Sequence, residues 1–408
     1  MILKERRYSM RIFSKAGLKL AATVTLISIG TAFAQFSAPA NARISALAGA
    51  HVSDISGVYR YPVMMTGYLD HIQANWGAAG QGFIGIKSVS EMFSFGVLAN
   101  QGPIAPDLTI AGLNALNGYA WPADPDGFDG QVVIPHFLLG FDLGAVAIGA
   151  DVFLEYAGYS VDNAGVSFGG SYSNFGARLS GRFDVAGANV MAKFGLGVPS
   201  INAEGLSGSA KLSFDNALYI EAGAEASAPI GGADWVLGLS YTRSDYRLKT
   251  GNTSDINAYA SSRLNGYLGL EFNFVETAVA TLGYSLTRDA RTVKQPGASG
   301  DPSASDPIDY RHDIYAGVEN AWEKAWIFDS FQLRGGAVYT VAATGSTASA
   351  AGNKTSVSQP ARHSNVRPIV GVGASKAFAT VDVALNPGEW VGLFTGPEVA
   401  AASLTVKF

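Results

Sequence analysis

The chain has 408 residues, a formal net charge of −5 and no cysteine. The missing thiols exclude disulfides and zinc–thiolate sites, and the acidic balance argues against nucleic acid as a partner. No stretch of eighteen apolar residues occurs, so a transmembrane helix is not expected.

In chain order, Lys4, Arg6, Arg7, Arg11, Lys15 and Lys19 form a basic region before the apolar run Leu20–Ile29. Ala32-Phe33-Ala34 follows as a small-x-small site, so residues 1–34 read as a secretory signal cleaved between Ala34 and Gln35. Its removal leaves the rest of the chain near −10. Residues 35–69 do not alternate and carry short helical turns around 45–50 and 55–59. They are expected to form a plug inside whatever follows.

From Asp70 the pattern changes to alternation. Leu264, Gly266, Leu268, Leu270, Phe272 and Phe274 fall on one face; Arg263, Asn265, Tyr267, Gly269, Glu271 and Asn273 fall on the other. A strand turns successive side chains to opposite sides, so this segment has one apolar and one polar face. The same split recurs at 71–76, 83–87, 93–97, 137–143, 146–154, 175–184, 190–198, 212–220, 235–242, 282–287, 331–339 and 402–408. No helix covers the apolar faces, and lipid is the simplest cover. Several of these runs are ten to fifteen residues long, whereas strands of a soluble sandwich have about five or six. The fold class is therefore all-β: a transmembrane antiparallel up-and-down β-barrel over 70–408, with about fourteen strands (range twelve to sixteen) and an N-terminal plug. The 49 glycines suit turns and a crowded inner wall. Long polar loops are expected at 100–130, 295–308 and 343–363.

Charged residues on the polar faces are the candidate lumenal groups: Asp151, Glu155, Arg178, Arg182, Lys193, Glu221, Glu225, Arg263, Glu271, Glu319 and Arg334. Mixed signs favour pairs bracing the wall over a single-sign selectivity ring. Asp124, Asp126 and Asp129 lie among glycines in the long loop, but their spacing fails the calcium-loop pattern. The five histidines, His51, His71, His136, His312 and His363, are scattered without ligand spacing. No G-x-S-x-G elbow occurs. No metal, cofactor or enzymatic activity is expected. Trp235, Tyr241, Tyr246, Tyr259, Tyr267, Trp322 and Trp326 sit where a membrane interface would take aromatics.

Ala402, Leu404, Val406 and Phe408 share a face of the last segment, which resembles the terminal strand of outer-membrane proteins. That resemblance implies that Phe408 is an assembly signal read by the barrel-insertion machinery. The segment Arg43 to Tyr68, with Ala46-Leu47-Ala48-Gly49-Ala50, Asp54 and Val58-Tyr59-Arg60-Tyr61-Pro62, resembles the entry segment of the long-chain fatty-acid transporter superfamily. It is also similar to the secretion-associated barrels of that architecture. Here Tyr61 stands where asparagine is usual and Val63 where alanine is usual. The resemblance implies a fourteen-stranded plugged barrel in the bacterial outer membrane. Three functions then compete: passive transport of small molecules, hydrophobic ones among them; a non-conducting scaffold for secreted or surface proteins; and an open porin. The expected partners are outer-membrane lipids, the insertion machinery and an unidentified small-molecule ligand.

Overall fold

The computed structural model describes residues 42–47, 55–77, 80–99, 132–133, 135–163, 166–204, 211–250, 256–275, 277–295, 303–350, 353–386 and 398–408. The signal segment with Ala34 and Gln35, His51 and the Asp124–Asp129 cluster lie outside them, as does the side chain of Glu155.

The strands are β1 (His71–Gly77), β2 (Gly80–Ser88), β3 (Phe93–Ala99), β4 (Val132–Val133 and Pro135–Asp142), β5 (Val146–Asn163), β6 (Val166–Val185), β7 (Ala188–Glu204) and β8 (Lys211–Ile230). They continue as β9 (Ala233–Thr250), β10 (Ile256–Val275), β11 (Ala278–Gln295), β12 (Ser303–Glu323), β13 (Ser330–Ala350), β14 (Asn353–Lys376), β15 (Ala379–Asn386) and β16 (Glu398–Lys407). The two parts of β4 are one interrupted strand, since Val133 opposes Tyr156 and His136 opposes Phe153 in a single register on β5. Each strand pairs antiparallel with its sequence neighbours, and β16 pairs with β1 from His71↔Lys407 to Gly77↔Ala401. The sheet is thereby closed and has sixteen strands, not fourteen.

The wall is uneven. Strands β5 to β14 run for 17 to 24 residues, against 7 to 10 in β1–β3, β15 and β16. A tilted strand crosses a bilayer in about 9–11 residues, so the tall strands continue well beyond it. The region 343–363 is therefore not the expected loop: β13 runs on to Ala350 and β14 begins at Asn353. Likewise β12 begins at Ser303, inside the expected loop 295–308.

The outer face carries the apolar set. Phe137, Leu139, Phe141, Leu154, Phe175, Leu179, Phe194, Leu196, Leu237, Leu239, Leu268, Leu282, Val318 and Leu333 are all exposed. A contiguous belt of this kind is untenable in water and is what a bilayer requires of a barrel. The inner face carries Asp151, Asn174, Arg178, Glu221, Glu225, Glu319, Arg334 and Asp382, all buried. The chain is an integral outer-membrane β-barrel.

Glycines make the inner wall receptive. Phe153 stands opposite Gly176, Tyr267 opposite Gly238 and Tyr315 opposite Gly283 on the neighbouring strands. A Cβ on any of these glycines would fall 2.1–2.3 Å from the facing ring. The rings therefore lie flat on bare backbone, a cross-strand pairing that uses the missing side chain.

Candidate functional site

The inner wall is occupied by the N-terminal segment. It comprises helix α1 (Ala42–Ala46), a 3-10 turn at Ile55–Tyr59 and a second at Pro62–Gly67, the latter opened by Pro62, whose fixed φ suits the first helical position. Helix α1 packs on β13–β16, and the second turn packs on β3–β6. Ile55, Val58, Tyr59 and Met65 form a core with Ile84 and Ile86 of β2, Leu98 of β3 and Leu138 of β4. Burial of such side chains stabilises by roughly 1.5–3 kcal/mol each.

Glycines again provide the seats. A Cβ at Gly149 would lie 2.2 Å from the Val63 amide nitrogen, and one at Gly371 would lie 2.3 Å from the Ala46 Cβ. At Gly317 it would meet the Leu47 carbonyl oxygen at 2.9 Å, and at Gly140 the Met65 Cγ at 2.9 Å. The Val63 N–H donates to Ser180 Oγ at 2.7 Å.

Charge pairs fasten the same segment. Arg43 donates to both carboxylate oxygens of Glu319, at 3.0 and 2.8 Å. Glu319 also accepts from Arg334, which in turn donates to Asp382. Arg178 donates through Nε to Asp151 at 2.7 Å and through Nη1 to the Tyr59 carbonyl at 2.8 Å. Asp151 lies 3.0 Å from His136 Nδ1, which holds the ring in one orientation. Arg60 lies 3.6 Å from Glu225, and Glu225 accepts from Tyr267. Lys193 pairs with Glu221 and sits 5.3 Å above the Tyr61 ring. Burial, aided by Glu225, pushes the Tyr61 phenol up to about 12, so it stays a neutral partner. Burial alone pushes the Tyr59 phenol well above its ordinary value.

The sequence-derived candidates divide as follows. Asp151, Arg178, Glu221 and Arg334 are drawn into the pairs just described. Arg182 reaches Asp142 at 3.3 Å near the short-turn end. Arg263 pairs with Asp289 on an exposed stretch of wall. Glu155 opposes Asn174 in register. Glu271 is half-buried and carries no ion pair among the described residues. Sequence reasoning did not single out Arg43, Arg60, Asp234 or Asp382. The visible signal for the first two was two cations in an otherwise apolar segment that faces a wall rich in carboxylates. Among the described residues no group of three or more His, Asp or Glu could hold a metal ion.

A cavity of about 490 Å3 remains between the segment and the wall. Arg60, Met64 and Tyr68 line it from the segment; Arg182, Met191, Glu225, Asp234, Glu271 and Tyr315 line it from the wall. It sits a few residues from the hairpins at Gly187 and Gly231, hence at the short-turn mouth of the barrel.

The barrel closes beside the C-terminus. The Phe408 N–H donates to the Asp70 carbonyl at 2.9 Å, and Lys87 Nζ lies 5.0 Å over the Phe408 ring. Asp70 accepts from Lys87 at 2.7 Å and from Ser88 N at 3.1 Å, and these donors hold its carboxyl below the usual carboxylate range.

No protein-family model and no curated protein sequence matches the chain. Among solved structures, the toluene transporter TodX of P. putida is similar over 91% of this chain and 99% of its own, at 11% identity and a TM-score of 0.40. CdiB from Escherichia coli is similar over 83% of this chain and 62% of its own, at 10% identity and a TM-score of 0.41. The alcaligin receptor FauA from Bordetella pertussis covers 83% and 75%, at 10% identity and a TM-score of 0.36. These likenesses are too slight to carry an activity.

Proposed function

We propose that the protein is a passive outer-membrane transporter of small molecules, in which residues 35–69 act as a plug. The observation that supports this reading is the seating of the N-terminal segment inside the barrel. Its described residues touch the wall from β2 round to β16, and a cavity of small-molecule size lies beside it. A wide porin has no use for ion pairs that tie a segment across its lumen. A scaffold that only displays loops has no use for a cavity at the opposite mouth. The reading assigns no enzymatic activity and no cofactor. Small solutes, hydrophobic ones among them, are the cargo in this scheme. Phe408, at the seam between β16 and β1, serves the insertion machinery in this scheme.

Single-channel recording in planar bilayers tests the plug. The intact protein should conduct ions poorly, and deletion of residues 36–60 should raise conductance while the barrel still assembles. Wide-pore conductance by the intact protein, unchanged by the deletion, would replace this reading with an open porin. Closed behaviour in both forms would favour the scaffold.

A further inference from the structure

We infer that the outer face of β9–β11, at the far edge of the apolar belt, binds the phosphate groups of an outer-leaflet lipid through Arg243 and Arg288. The inference needs only the membrane-spanning barrel and is independent of the transporter reading.

Position along the strand fixes the depth. Arg243 lies ten residues on from Ala233, the first residue of β9, and Arg288 lies ten on from Ala278, the first of β11. A tilted strand crosses the hydrocarbon in about 9–11 residues, so both arginines stand where lipid headgroups begin, on the side of the long strands. That side is the outer leaflet, because the short turns of such barrels are periplasmic. Arg243 shares the outward parity of Leu237 and Leu239, and Arg288 that of Leu282 and Tyr284, all four exposed. Tyr241, Tyr284, Tyr310 and Tyr339 are exposed on the same face of β9, β11, β12 and β13, and Tyr310 stands directly opposite Arg288. Amphipathic rings prefer the headgroup level, so they mark the depth independently of the strand count. At the corresponding depth β5, β6 and β7 expose Tyr156, Phe175 and Val198, each ten residues from the short-turn end of its strand. Among the described residues the arginines at this level are thus confined to one sector of the wall.

Pairing within the chain does not account for these arginines. Arg288 is half-buried and has no ion pair or hydrogen bond among the described residues. Arg243 donates to both carboxylate oxygens of Asp245, at 2.7 and 3.2 Å, which orients its guanidinium without using all five donors. Arg247, exposed four residues further out on the same face, adds a third positive charge, so three arginines meet one described carboxylate there. The floor between Arg243 and Arg288 is low, since Ser262 of β10 stands between Arg243 and Ala290 in the ladder. The register sets the two arginines two strands and two residues apart, roughly 12 Å at the backbone. Their long side chains can therefore close from either side on a group resting over Ser262. A guanidinium offers a planar fork that matches phosphate oxygens, and basic side chains at a membrane surface attract anionic headgroups. The occupant is a lipid because Leu239, Leu264 and Leu282 lie exposed just beneath, where acyl chains pack.

The test is native mass spectrometry of the purified full-length protein in non-ionic detergent. Diphosphoryl lipid A is the probe, and its dephosphorylated form is the comparison. The parent should retain the probe but not the dephosphorylated form, and salt should weaken retention. Arg243→Gln and Arg288→Gln should each weaken the probe by about tenfold, and the double variant by more. Heat-modified gel migration should be unchanged in all three, because an exposed ion pair such as Arg243–Asp245 adds little to stability. Arg367→Gln is the control. It removes the same charge from an exposed arginine that faces the lumen, opposite the buried Val338, and binding should not move. No retention by the parent, or equal retention of both lipid forms, would overturn the assignment even where a variant fails to assemble. So would a loss in Arg367→Gln as large as in the outer-face variants. Displacement of the lipid by inorganic phosphate would also overturn it, since the site would then be one for free anions.

Discussion

Of the described wall glycines, Gly149 comes nearest to the backbone of the N-terminal segment, and a side chain there tests whether that segment is held as described. A Cβ at Gly149 would lie 2.2 Å from the Val63 nitrogen and 2.4 Å from the Pro62 carbonyl carbon. Backbone atoms cannot swing aside as a flexible side chain can, so the second 3-10 turn would have to retreat by about 1 Å to reach ordinary contact for alanine, and further for leucine. Retreat pulls the Val63 N–H away from Ser180 Oγ, which it reaches at 2.7 Å. An orphaned buried donor costs about 1–3 kcal/mol. Full undocking also exposes Val63 and Met65, both fully buried, for roughly 4–9 kcal/mol in all. Gly149→Leu should therefore release the turn while leaving the strand ladder intact. The assay is conductance in planar bilayers together with protease access to residues 55–67, with heat-modified gel migration confirming assembly. Gly335→Leu is the control, because a Cβ there meets nothing within 4 Å. If Gly149→Leu assembles and both conductance and protease resistance match the parent, the segment is not held against the wall as argued.

Other outcomes follow from the same geometry. Replacing Asp151 with asparagine strands the Arg178 charge in a buried site and should cost about 3–5 kcal/mol, read as a large fall in heat-modification temperature. Leu268→Arg places a charge on the lipid face and should cost about 2–4 kcal/mol, impairing assembly far more than Gly335→Ala does; equal assembly would mean that the faces are inverted. Asp70 has its carboxyl held below the unfolded value, so its contribution is complete above about pH 4 and is lost as pH falls through the folded value. Resistance to urea should drop in that acid range, and Asp70→Asn should flatten the drop. The mature protein should begin at Gln35, read by mass spectrometry of the membrane-extracted chain.

The outer face was legible because lipid imposes one rule on every spanning strand, and Phe137, Leu139 and Phe141 or Leu237 and Leu239 obey it at period two. The count fell short where that rule does not reach. From Thr344 to Ala350 in β13 and from Asn353 to Ala361 in β14 the sequence is mostly Gly, Ser, Thr and Ala, with Val357 its one large apolar residue. Such stretches lack alternating large apolar residues and read as loops, although they are paired strands. The short strand Ala379–Asn386 was legible in principle, since Val381, Val383 and Leu385 alternate with Thr380, Asp382 and Ala384, yet it was not singled out. Paired inner charges were predictable in kind but not in partner. Arg43 meets Glu319 across 276 positions of sequence, and no local pattern encodes such a meeting. Asp151 and Arg178 were nearer to being read, since they face each other on adjacent strands once β5 and β6 are set in register.

Structural pairing accounts for much of the inner charge and then stops. Asp151 needs Arg178, Glu221 needs Lys193, and Glu319 needs Arg43 and Arg334, because an unpaired charge against a close-packed segment is costly. Two of these cations come from the segment itself or act on its backbone, so the wall and the segment are complementary parts of one core. Asp234 and Glu271 lie just past the edge of that packing, where the segment ends and the cavity begins. Had they served only to brace the wall, a cation would be expected across from one of them, as it is for Asp151. Instead each faces the other. The inner wall thus changes character along its length: buried and ion-paired where it grips the segment, and more open at the short-turn mouth, where Asp234 is exposed and Glu271 half-buried.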